Sequence, residues 1–399
     1  MMSWGLKTRG LRPIGLDIGH NSIKMIQLLM NEEQISVLAA DEVRTPEGII
    51  DDEQARNKFV ISAIRQMLDR GNFDGRNVIS CLPNGKLRIT SLRLAEVETD
   101  EIEQALRKEV VQRFGLDPDK DAMDYVVAGN VRQGNEVKSE LILLATDNET
   151  LKGHIETLEC AGLRPVAIDT IPCALFRSFE RSLRRREDRD RTAVFVDVGS
   201  SFTTVVFGPE GKISFVKQIP IGGQNFVQEV AAKLGINTSE AESLRGMLRT
   251  QKDSRTQKSD STKDKCAEKR QKLDVSTQQV IVDAISAVAE DLAREISLCL
   301  RYYTVTFRGK RMERAVFAGG GAYEDILLDV LRRQLTVKVE VAEPLRGFDL
   351  SSERARVHFD SDREGLLCEW AVAVGLSLKG WNEAKDDNCQ AKKQVTGQL

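Results

Sequence analysis

The sequence predicts an α/β protein made of two similar lobes, with a small α+β subdomain inserted in the first lobe. Three observations lead to this prediction: a strand–turn–strand motif that occurs twice, a glycine-rich turn between a strand and a helix, and a stretch of different pattern within the first half. The chain has 399 residues, of which 41% are hydrophobic and 30% charged. That length and composition are sufficient for at least two globular domains.

The repeated motif is an Asp-x-Gly turn between two apolar, β-branched strands. Its first copy contains Asp17, Gly19, His20, Asn21, Ser22 and Lys24. Its second copy contains Asp197, Gly199, Ser200, Ser201 and Thr203. Such a turn directs backbone N–H groups at an anion, and the Asp that ends the incoming strand is available to a metal-bound water. Two facing turns would hold a phosphate chain and its Mg²⁺, with Asp17 and Asp197 as the metal-binding carboxylates.

A third turn follows the short strand pattern of Arg314 to Ala318 and precedes an amphipathic helix predicted from Tyr323 to Leu335. It consists of Gly319, Gly320, Gly321 and Ala322. Consecutive glycines let the backbone approach a flat or anionic ligand closely. The chain has neither a P-loop nor a dinucleotide-binding glycine motif. The order of the three turns is therefore more specific than any one of them.

Each Asp-x-Gly turn opens a three-strand antiparallel meander that is followed by helices, which indicates an internal duplication of the fold. We assign residues 13–180 to the first lobe and 192–380 to the second, with a charged linker at 181–191. A long helix, predicted at 280–303, carries an apolar stripe typical of a core element. A basic segment, 1–12, precedes the first lobe.

The inserted subdomain is predicted at about 86–147, followed by a helix at 148–161 that completes its strand–helix–strand–strand–helix order. A lysine-rich stretch at about 250–278 has few large apolar residues and is expected to be a flexible loop. The polar tail, 381–399, is expected to be disordered.

Bulk properties exclude several classes of function. A formal net charge of -3 and only 5% aromatic residues argue against nucleic-acid binding. No apolar run is long enough for a transmembrane helix, and the basic N-terminal segment lacks the apolar region of a signal peptide. The seven cysteines show no C-x-x-C spacing, so we expect buried, reduced thiols and not a zinc site.

These motifs resemble the actin-like ATPase superfamily and, within it, the PilM-type proteins of type IV pilus assembly. The resemblance spans residues 14–380 and implies a two-lobed actin-like ATPase fold (a duplicated ribonuclease-H-like fold) with ATP and Mg²⁺ in the cleft. It further implies that a nucleoside-binding segment contains Gly222, Gly223, Glu242 and Arg245, and that the glycine-rich turn is the adenosine loop. The subdomain is similar in location to that of the division protein FtsA.

The resemblance also implies a partner. PilM-type proteins bind the N-terminal cytoplasmic tail of PilN, an inner-membrane protein, which would place this protein in the cytoplasm at the inner face of that membrane. The predicted groove is bordered by the strand 87–94 and the helix 101–114 against the first lobe, with residues 181–191 as the alternative contact. The sequence leaves open whether the protein forms homo-oligomers.

Three positions depart from the family pattern. His20 stands where a small hydroxyl residue is usual, and Arg245 where Lys is common. Ile171 stands where vigorous ATPases carry Glu or Gln to position water. Asp169, the third candidate catalytic carboxylate beside Asp17 and Asp197, lies two residues earlier, about 6–7 Å away along a strand. We therefore expect at most slow hydrolysis.

The sequence leaves three functions open. The first is a nucleotide-gated adaptor of type IV pilus, competence or secretion assembly. The second is a filament-forming, FtsA-like cell-division ATPase, and the third is a small-molecule kinase of the same fold, which would need a catalytic base near the transferred phosphate. We favour the adaptor, because the inserted subdomain suits protein contact.

Overall fold

The computed structural model describes residues 10–30, 34–49, 52–95, 99–133, 136–183, 193–208, 211–256, 273–307, 312–351, 356–357 and 366–379. Most of the predicted basic N-terminal segment, most of the charged linker, the middle of the predicted 250–278 loop and the predicted tail lie outside these residues.

The described strands form three sheets. They are β1 Ile14–Ile18, β2 Ser22–Met30, β3 Ile35–Arg44, β4 Asn77–Leu82, β5 Arg88–Ala95, β6 Ala122–Gln133, β7 Glu136–Thr146, β8 Arg164–Thr170, β9 Ala193–Val198, β10 Thr203–Phe207, β11 Phe215–Ile219, β12 Arg314–Ala318, β13 Lys338–Val341 and β14 Arg356–Val357.

The two larger sheets share one topology. The first has the order β14-β3-β2-β1-β4-β8 and the second the order β11-β10-β9-β12-β13. In each sheet the first strand pairs antiparallel with the second and parallel with the strand that returns beside it. Apart from β14, the strand orders match one for one, so the predicted two-lobed duplication is confirmed.

Helices pack against the sheets. They are α1 Glu53–Arg70, α2 Thr99–Glu109, α3 Asn148–Cys160, α4 Ile171–Leu183, α5 Gly223–Leu234, α6 Thr238–Thr256, α7 Val275–Phe307, α8 Asp325–Gln334 and α9 Ala371–Ser377. A π-helical turn, Val110–Phe114, extends α2, and a 3-10 turn, Gly320–Tyr323, precedes α8. The helix predicted from Tyr323 to Leu335 therefore begins two residues later.

The predicted loop at 250–278 is wrong at both ends. Helix α6 continues to Thr256, and α7 already begins at Val275. Asp274 explains the early start, because its carboxylate accepts from the Thr277 backbone N–H at 3.0 Å and so caps the helix. The predicted helix at 280–303 is present and longer.

The inserted subdomain is a three-stranded sheet, β5-β7-β6, with α2 on one face. Leu141 and Leu143 of β7 pack towards α2, whereas Ile142 and Leu144 point the other way and join the second lobe's core, which contains Phe207. Arg93 and Glu140 also contact Tyr302 of α7, at 2.9 and 3.2 Å. The subdomain sheet is thus packed against the second lobe.

We had expected helix α3 to complete the inserted subdomain, but it belongs to the first lobe. Its Leu158 lies in the first lobe's core together with Ile64 of α1 and Ile14 of β1. The apolar face of α3 is therefore satisfied by the first lobe.

The chain returns to the first lobe near its end, which corrects the assignment of all of 192–380 to the second lobe. β14 pairs with β3, and Trp370 lies in an apolar cluster with Ile26 and Leu28 of β2. Helix α9 crosses α4 closely: a Cβ on Gly375 would lie 1.8 Å from the Ala174 carbonyl oxygen. The two helices form the connection between the lobes.

No helix of the described residues combines the length and apolar character needed to cross a membrane. The five cysteines in these ranges are free. Cys81, Cys299 and Cys368 are buried as expected, but Cys160 is exposed.

Candidate functional site

The two Asp-x-Gly turns lie opposite each other at the ends of β1 and β9. The clearest evidence is a contact between lobes: His20 of the first turn lies 2.7 Å from Gln224, which also bonds Ser201 of the second turn at 2.7 Å. A further bond joins the lobes between Asn84 and Thr204, at 2.9 Å. The predicted pairing of the turns is therefore what the chain forms.

Asp17 and Asp197 interact across this cleft. Burial and, to a lesser extent, the charge of Asp17 raise the pKa of Asp197 to about 7, against the opposing effect of Lys24. Burial likewise raises the pKa of Asp17, which Lys24 lowers and Glu42 raises. Two nearby carboxylates that resist ionisation together are a suitable environment for a divalent cation, because the cation would relieve their repulsion.

The protein supplies only part of a metal coordination shell. Within the described ranges, no group of three or more His, Cys, Asp or Glu side chains could hold a metal ion. A hard cation here would take its remaining oxygen ligands from water or from a bound phosphate, as Mg²⁺ commonly does. The donor set therefore fits Mg²⁺ bound together with a phosphate ligand.

Lys24 lies in the wall of the first turn. It faces Asp17 on β1 and Glu42 on β3, because all three residues are register partners on adjacent strands. Its ammonium group donates to Ser22 Oγ at 2.5 Å and lies 3.6 Å from Glu42. The lysine partly balances the carboxylates of the cleft and fixes the Ser22 hydroxyl. Asn21 of the same turn accepts from the Thr45 N–H through its carbonyl, at 2.9 Å.

The second turn has a hydrogen-bond donor without an acceptor. The Ser200 hydroxyl is buried and has no partner in the described part of the chain. By contrast, Gly199 N–H already donates to the Phe202 carbonyl at 3.0 Å, and the Thr203 hydroxyl to the Ile221 carbonyl at 2.7 Å. A buried hydroxyl without a partner is costly unless a ligand satisfies it.

Gly222 and Gly223 lie beside the second turn at the start of α5, but their amides are already used. Gly223 N–H donates to the Gly199 carbonyl at 2.9 Å, and Gly222 N–H to Asn225 Oδ1 at 2.9 Å. In this structure the Gly223 bond attaches α5 to the turn.

The glycine-rich turn packs against the end of β9, where the second Asp-x-Gly turn begins. Gly319 has φ +83°, and a Cβ there would lie 2.4 Å from Asp197 Oδ1, while a Cβ on Gly321 would lie 2.4 Å from Val198 Cγ1. Gly320 faces open space, and Ala322 is buried. The turn is held by the Gly319 N–H, which donates to the Cys368 carbonyl at 3.1 Å. Glycine is required where the backbone packs on Asp197.

Arg245 links helix α6 to the starts of α5 and α8. It bonds Glu242 on its own helix at 2.8 Å and Glu324, at the start of α8, at 2.9 Å. It also donates to the Gly223 carbonyl at 3.4 Å. Its Nε is buried and has no partner among the described residues. The Arg245 side chain is buried, whereas that of Glu242 is half-exposed.

Asp169 is held in two ion pairs. Its carboxylate lies 2.9 Å from the Arg177 guanidinium and 3.6 Å from the Lys379 ammonium. It still lies near the cleft, since Asp17, Asp169 and Asp197 all raise the pKa of the buried Cys81 thiol, after burial itself. Ile171 begins α4 and is not a strand residue, so our estimate of its separation from Asp169 by strand spacing was wrong.

Two further residues of the site escaped the sequence analysis. Glu324 could not be recognised, because its partner Arg245 is distant in sequence. Gln224 follows the two glycines directly at a helix start. That position was the available signal, since side chains there point towards whatever faces the helix end.

The duplicated sheets and the facing turns define an actin-like ATPase fold. Among solved structures, a chain of the "PilM-PilN type IV pilus biogenesis complex" is similar over 92% of this chain and 98% of its own, with TM-score 0.71 and 22% identity. The ethanolamine utilization protein EutJ from Carboxydothermus hydrogenoformans matches over 93% and 90%, with TM-score 0.51 and 15% identity.

The sequence comparisons identify the family. The profile of the type IV pilus assembly protein PilM matches residues 15–257, more than half of the chain. The chain therefore belongs to the PilM family.

The profile of the cell division protein FtsA matches residues 194–357. FtsA of Streptococcus pneumoniae is 21% identical over 58% of this chain and 54% of its own, and FtsA of Bacillus subtilis 20% identical over 59% and 57%. The chain thus spans little more than half the length of these curated relatives.

Proposed function

We propose that this PilM-family protein is an ATP-binding adaptor of type IV pilus assembly, or of a related competence or secretion system. One observation supports it above the others: Asp17 and Asp197 face each other across the cleft, beside a buried Ser200 hydroxyl that lacks a partner. Carboxylates for a cation next to an unsatisfied donor for an anion are the two halves of a metal–phosphate site.

The residues of the site would have distinct roles in binding. Asp17 and Asp197 would hold Mg²⁺, which would neutralise phosphate charge. The turn from Gly19 to Ser22 and the Ser200 and Ser201 region donate to the phosphates. Gly320, Gly321 and Glu242 border the nucleoside, and Arg245 holds those walls together.

ATP would act chiefly as a structural ligand. The third candidate catalytic carboxylate, Asp169, is ion-paired with Arg177 and Lys379 and would therefore not serve as a free base. Nucleotide bound at cellular concentration would stabilise the closed form by mass action. Steady-state turnover of about 1 s⁻¹ or faster, the low end of ordinary enzymes, would contradict this part of the proposal.

The partner would be the N-terminal cytoplasmic tail of a PilN-like protein of the inner membrane. A protein of similar fold was solved as the PilM–PilN complex, which supports this assignment. The subdomain packs on the second lobe through Ile142 and Leu144, so closure of the cleft would move it relative to the first lobe. A groove between subdomain and first lobe would then change with nucleotide. The protein itself would be cytoplasmic, at the inner face of the inner membrane.

The test combines two measurements on the full chain. Calorimetry measures Mg·ATP affinity, and fluorescence anisotropy measures binding of a labelled PilN-like tail peptide with ATP, with ADP and without nucleotide. We expect micromolar ATP affinity or tighter and peptide binding that changes with nucleotide. Absence of ATP binding at millimolar concentration rejects the nucleotide site, and nucleotide-independent peptide binding rejects the gating.

The FtsA match to residues 194–357 favours a second candidate, a filament-forming ATPase. Sedimentation with and without Mg·ATP distinguishes the two. Nucleotide-dependent pelleting in the absence of membrane and partner supports the filament, and a homo-oligomer of fixed size supports an oligomeric adaptor.

A further inference from the structure

The first lobe has a polar pocket at the edge of its sheet opposite the Asp-x-Gly turn. Its volume is about 170 Å³. The charged and amide side chains that line it are Arg12, Gln27, Asp74, Arg76, Asn77 and Arg164. Arg12 and Asp17 stand at opposite ends of β1, separated by about 17 Å of extended chain. The pocket is therefore distinct from the proposed nucleotide cleft.

Three neighbouring strands each bring one arginine to this pocket. β1 runs parallel to β4, and β4 parallel to β8, so the three strands begin at the same edge of the sheet. Arg12 lies just before β1, Arg76 directly precedes β4, and Arg164 is the first residue of β8. The arginines are distant in sequence, and the parallel pairing of the strands places them around one pocket.

A buried glutamine holds the walls of the pocket in place. Gln27 is 1% exposed and lies on β2 between the buried Ile26 and Leu28. Its Nε2 donates to the Arg12 carbonyl at 3.1 Å and to the Asp74 carbonyl at 2.7 Å, and its Oε1 accepts from the Asp74 N–H at 2.7 Å. A buried amide needs hydrogen-bond partners, and this one takes all of these from the two segments that line the pocket. The pocket is thus preformed.

Two of the guanidinium groups have neutral partners. Arg164 Nε donates to Asn77 Oδ1 at 2.8 Å, and Arg76 Nη1 to the Gly75 carbonyl at 3.1 Å. Within the described ranges, neither arginine forms an ion pair. The two segments are also joined directly, because the Arg164 N–H donates to the Arg76 carbonyl at 2.8 Å. Each guanidinium retains further N–H donors for a ligand.

The charge of the pocket matches an anion with two negative charges. The three guanidinium groups and the Asp74 carboxylate together give a net charge of +2. A phosphate monoester carries about −1.5 to −2 at neutral pH and offers three acceptor oxygens. A carboxylate has one charge and two oxygens. Guanidinium groups bind phosphate through paired N–H···O bonds, so three of them around one pocket favour the phosphate.

We propose that the pocket between Arg12, Arg76 and Arg164 binds a phosphate monoester. Two sources present this chemistry: a soluble phosphate monoester and the headgroup of a lipid such as phosphatidic acid. The inference does not rest on the proposed function, because the site lies at the other edge of the sheet and uses none of the residues assigned to nucleotide.

The test measures binding of glycerol 3-phosphate to the full-length protein by calorimetry, with excess Mg·ATP present to occupy the cleft. The double variant Arg76→Gln, Arg164→Gln should weaken this binding at least about tenfold, since each guanidinium donates to a charged group. Its Mg·ATP affinity should stay within about twofold of that of the unaltered protein, because the two sites are distant.

Sedimentation with vesicles identifies the source of the phosphate. The vesicles contain phosphatidylcholine, with or without phosphatidic acid. Sedimentation that requires phosphatidic acid and is lost in the double variant indicates the lipid headgroup. Binding of glycerol 3-phosphate without such sedimentation indicates a soluble ligand.

The double variant Arg65→Gln, Arg88→Gln is the matched control. It removes the same charge from two exposed arginines outside the pocket. It should change glycerol 3-phosphate affinity by less than about twofold, since salt screens distant exposed charges. Equal weakening by both double variants, no binding of either probe at millimolar concentration, or equally tight binding of succinate overturns the inference. Failure to bind Mg·ATP overturns only the proposed function, because the comparison of variants does not require nucleotide.

Discussion

The Arg177 guanidinium lies 2.9 Å from the Asp169 carboxylate and also donates to the Gly375 carbonyl at 2.7 Å. Asp169 lies near the end of β8, Arg177 in α4 and Gly375 in α9, so this one arginine joins a strand of the first lobe to the two helices that connect the lobes. A carboxylate expected to be catalytic is thereby part of the structure at the crossing of the two helices. Its charge is compensated, which a buried carboxylate requires.

We predict that Asp169→Asn destabilises the protein more than it affects nucleotide binding. The substitution leaves the largely buried Arg177 without its charged partner, and losing one member of such a pair costs about 3–5 kcal/mol at most. Lys379 is part-exposed and would be compensated by solvent. Urea unfolding should show a lower midpoint, with ATP affinity of the folded protein unchanged.

Asp291→Ala is the control, since Asp291 lies on the exposed face of α7 and pairs with the exposed Arg294. It should change stability by less than about 0.5 kcal/mol. If Asp169→Asn leaves stability intact but reduces ATP turnover tenfold or more, Asp169 has the catalytic role that the ion pairs argue against.

We predict that Gly375→Ala opens the crossing of α4 and α9. Its new Cβ would lie 1.8 Å from the Ala174 carbonyl oxygen, a backbone atom that cannot move without shifting a helix. Overpacking of this kind costs about 1–3 kcal/mol. Both thermal stability and nucleotide affinity should fall, because the crossing sets the relation of the lobes. The measurements are differential scanning fluorimetry and calorimetry.

Gly153→Ala provides the comparison for Gly375. Gly153 is also a helical glycine, in α3, but a Cβ there meets nothing within 4 Å. Alanine should stabilise that exposed helix by up to about 1 kcal/mol. If both substitutions have the same effect, the close crossing does not matter for stability.

Local sequence signals accounted for the sheets and the three turns. The alternation and β-branched residues around Asp17 and Asp197 fixed the hairpins, and β12 has the predicted bounds, Arg314–Ala318. These features depend on neighbouring residues. The start of α7 also had a local signal, because Asp274 can cap a helix by accepting from the Thr277 N–H. The polar composition of the stretch obscured this signal.

Long-range partners were not predictable in the same way. Whether Asp169 is free depends on Arg177 and on Lys379, whose position requires α9 to return to the first lobe. The inner face of the subdomain sheet is similar: alternation shows that Ile142 and Leu144 share a face, but not that the second lobe covers it. A single sequence carries the pattern of a surface and not the identity of its partner.

We predict that Asp197→Ala weakens Mg·ATP binding at least tenfold, about 1.4 kcal/mol. The buried Asp197 would supply one of the two charges that hold Mg²⁺. ATP binding without Mg²⁺ should weaken much less, because the phosphate donors remain. Calorimetry with Mg²⁺ and with a chelator distinguishes the two contributions, and unchanged Mg·ATP affinity would exclude Asp197 from the metal site.

The last prediction concerns pH. The pKa of Asp197 is raised from its ordinary value of 3.8 to about 7, so the folded state binds more protons than the unfolded state between these values. The contribution of Asp197 to the free energy of unfolding therefore falls as pH rises from about 4 to 7, and Asp17 acts in the same direction. Asp197→Asn cannot titrate and should be more stable than the unaltered protein at pH 8 without ligand.

Mg·ATP binding should depend on pH in the opposite direction to stability, because the cation competes with the proton for Asp197. Mg·ATP affinity should fall as pH drops from 8 to 6, approaching about tenfold per pH unit below the pKa. Comparing the stability curve with that of Asp197→Asn isolates the contribution of Asp197 from those of other groups. One of these is His154, whose pKa burial lowers to about 4 and whose contribution to stability therefore rises with pH. If the two proteins show parallel stability curves from pH 5 to 8, Asp197 ionises normally and the cleft lacks the charge repulsion that makes it a cation site.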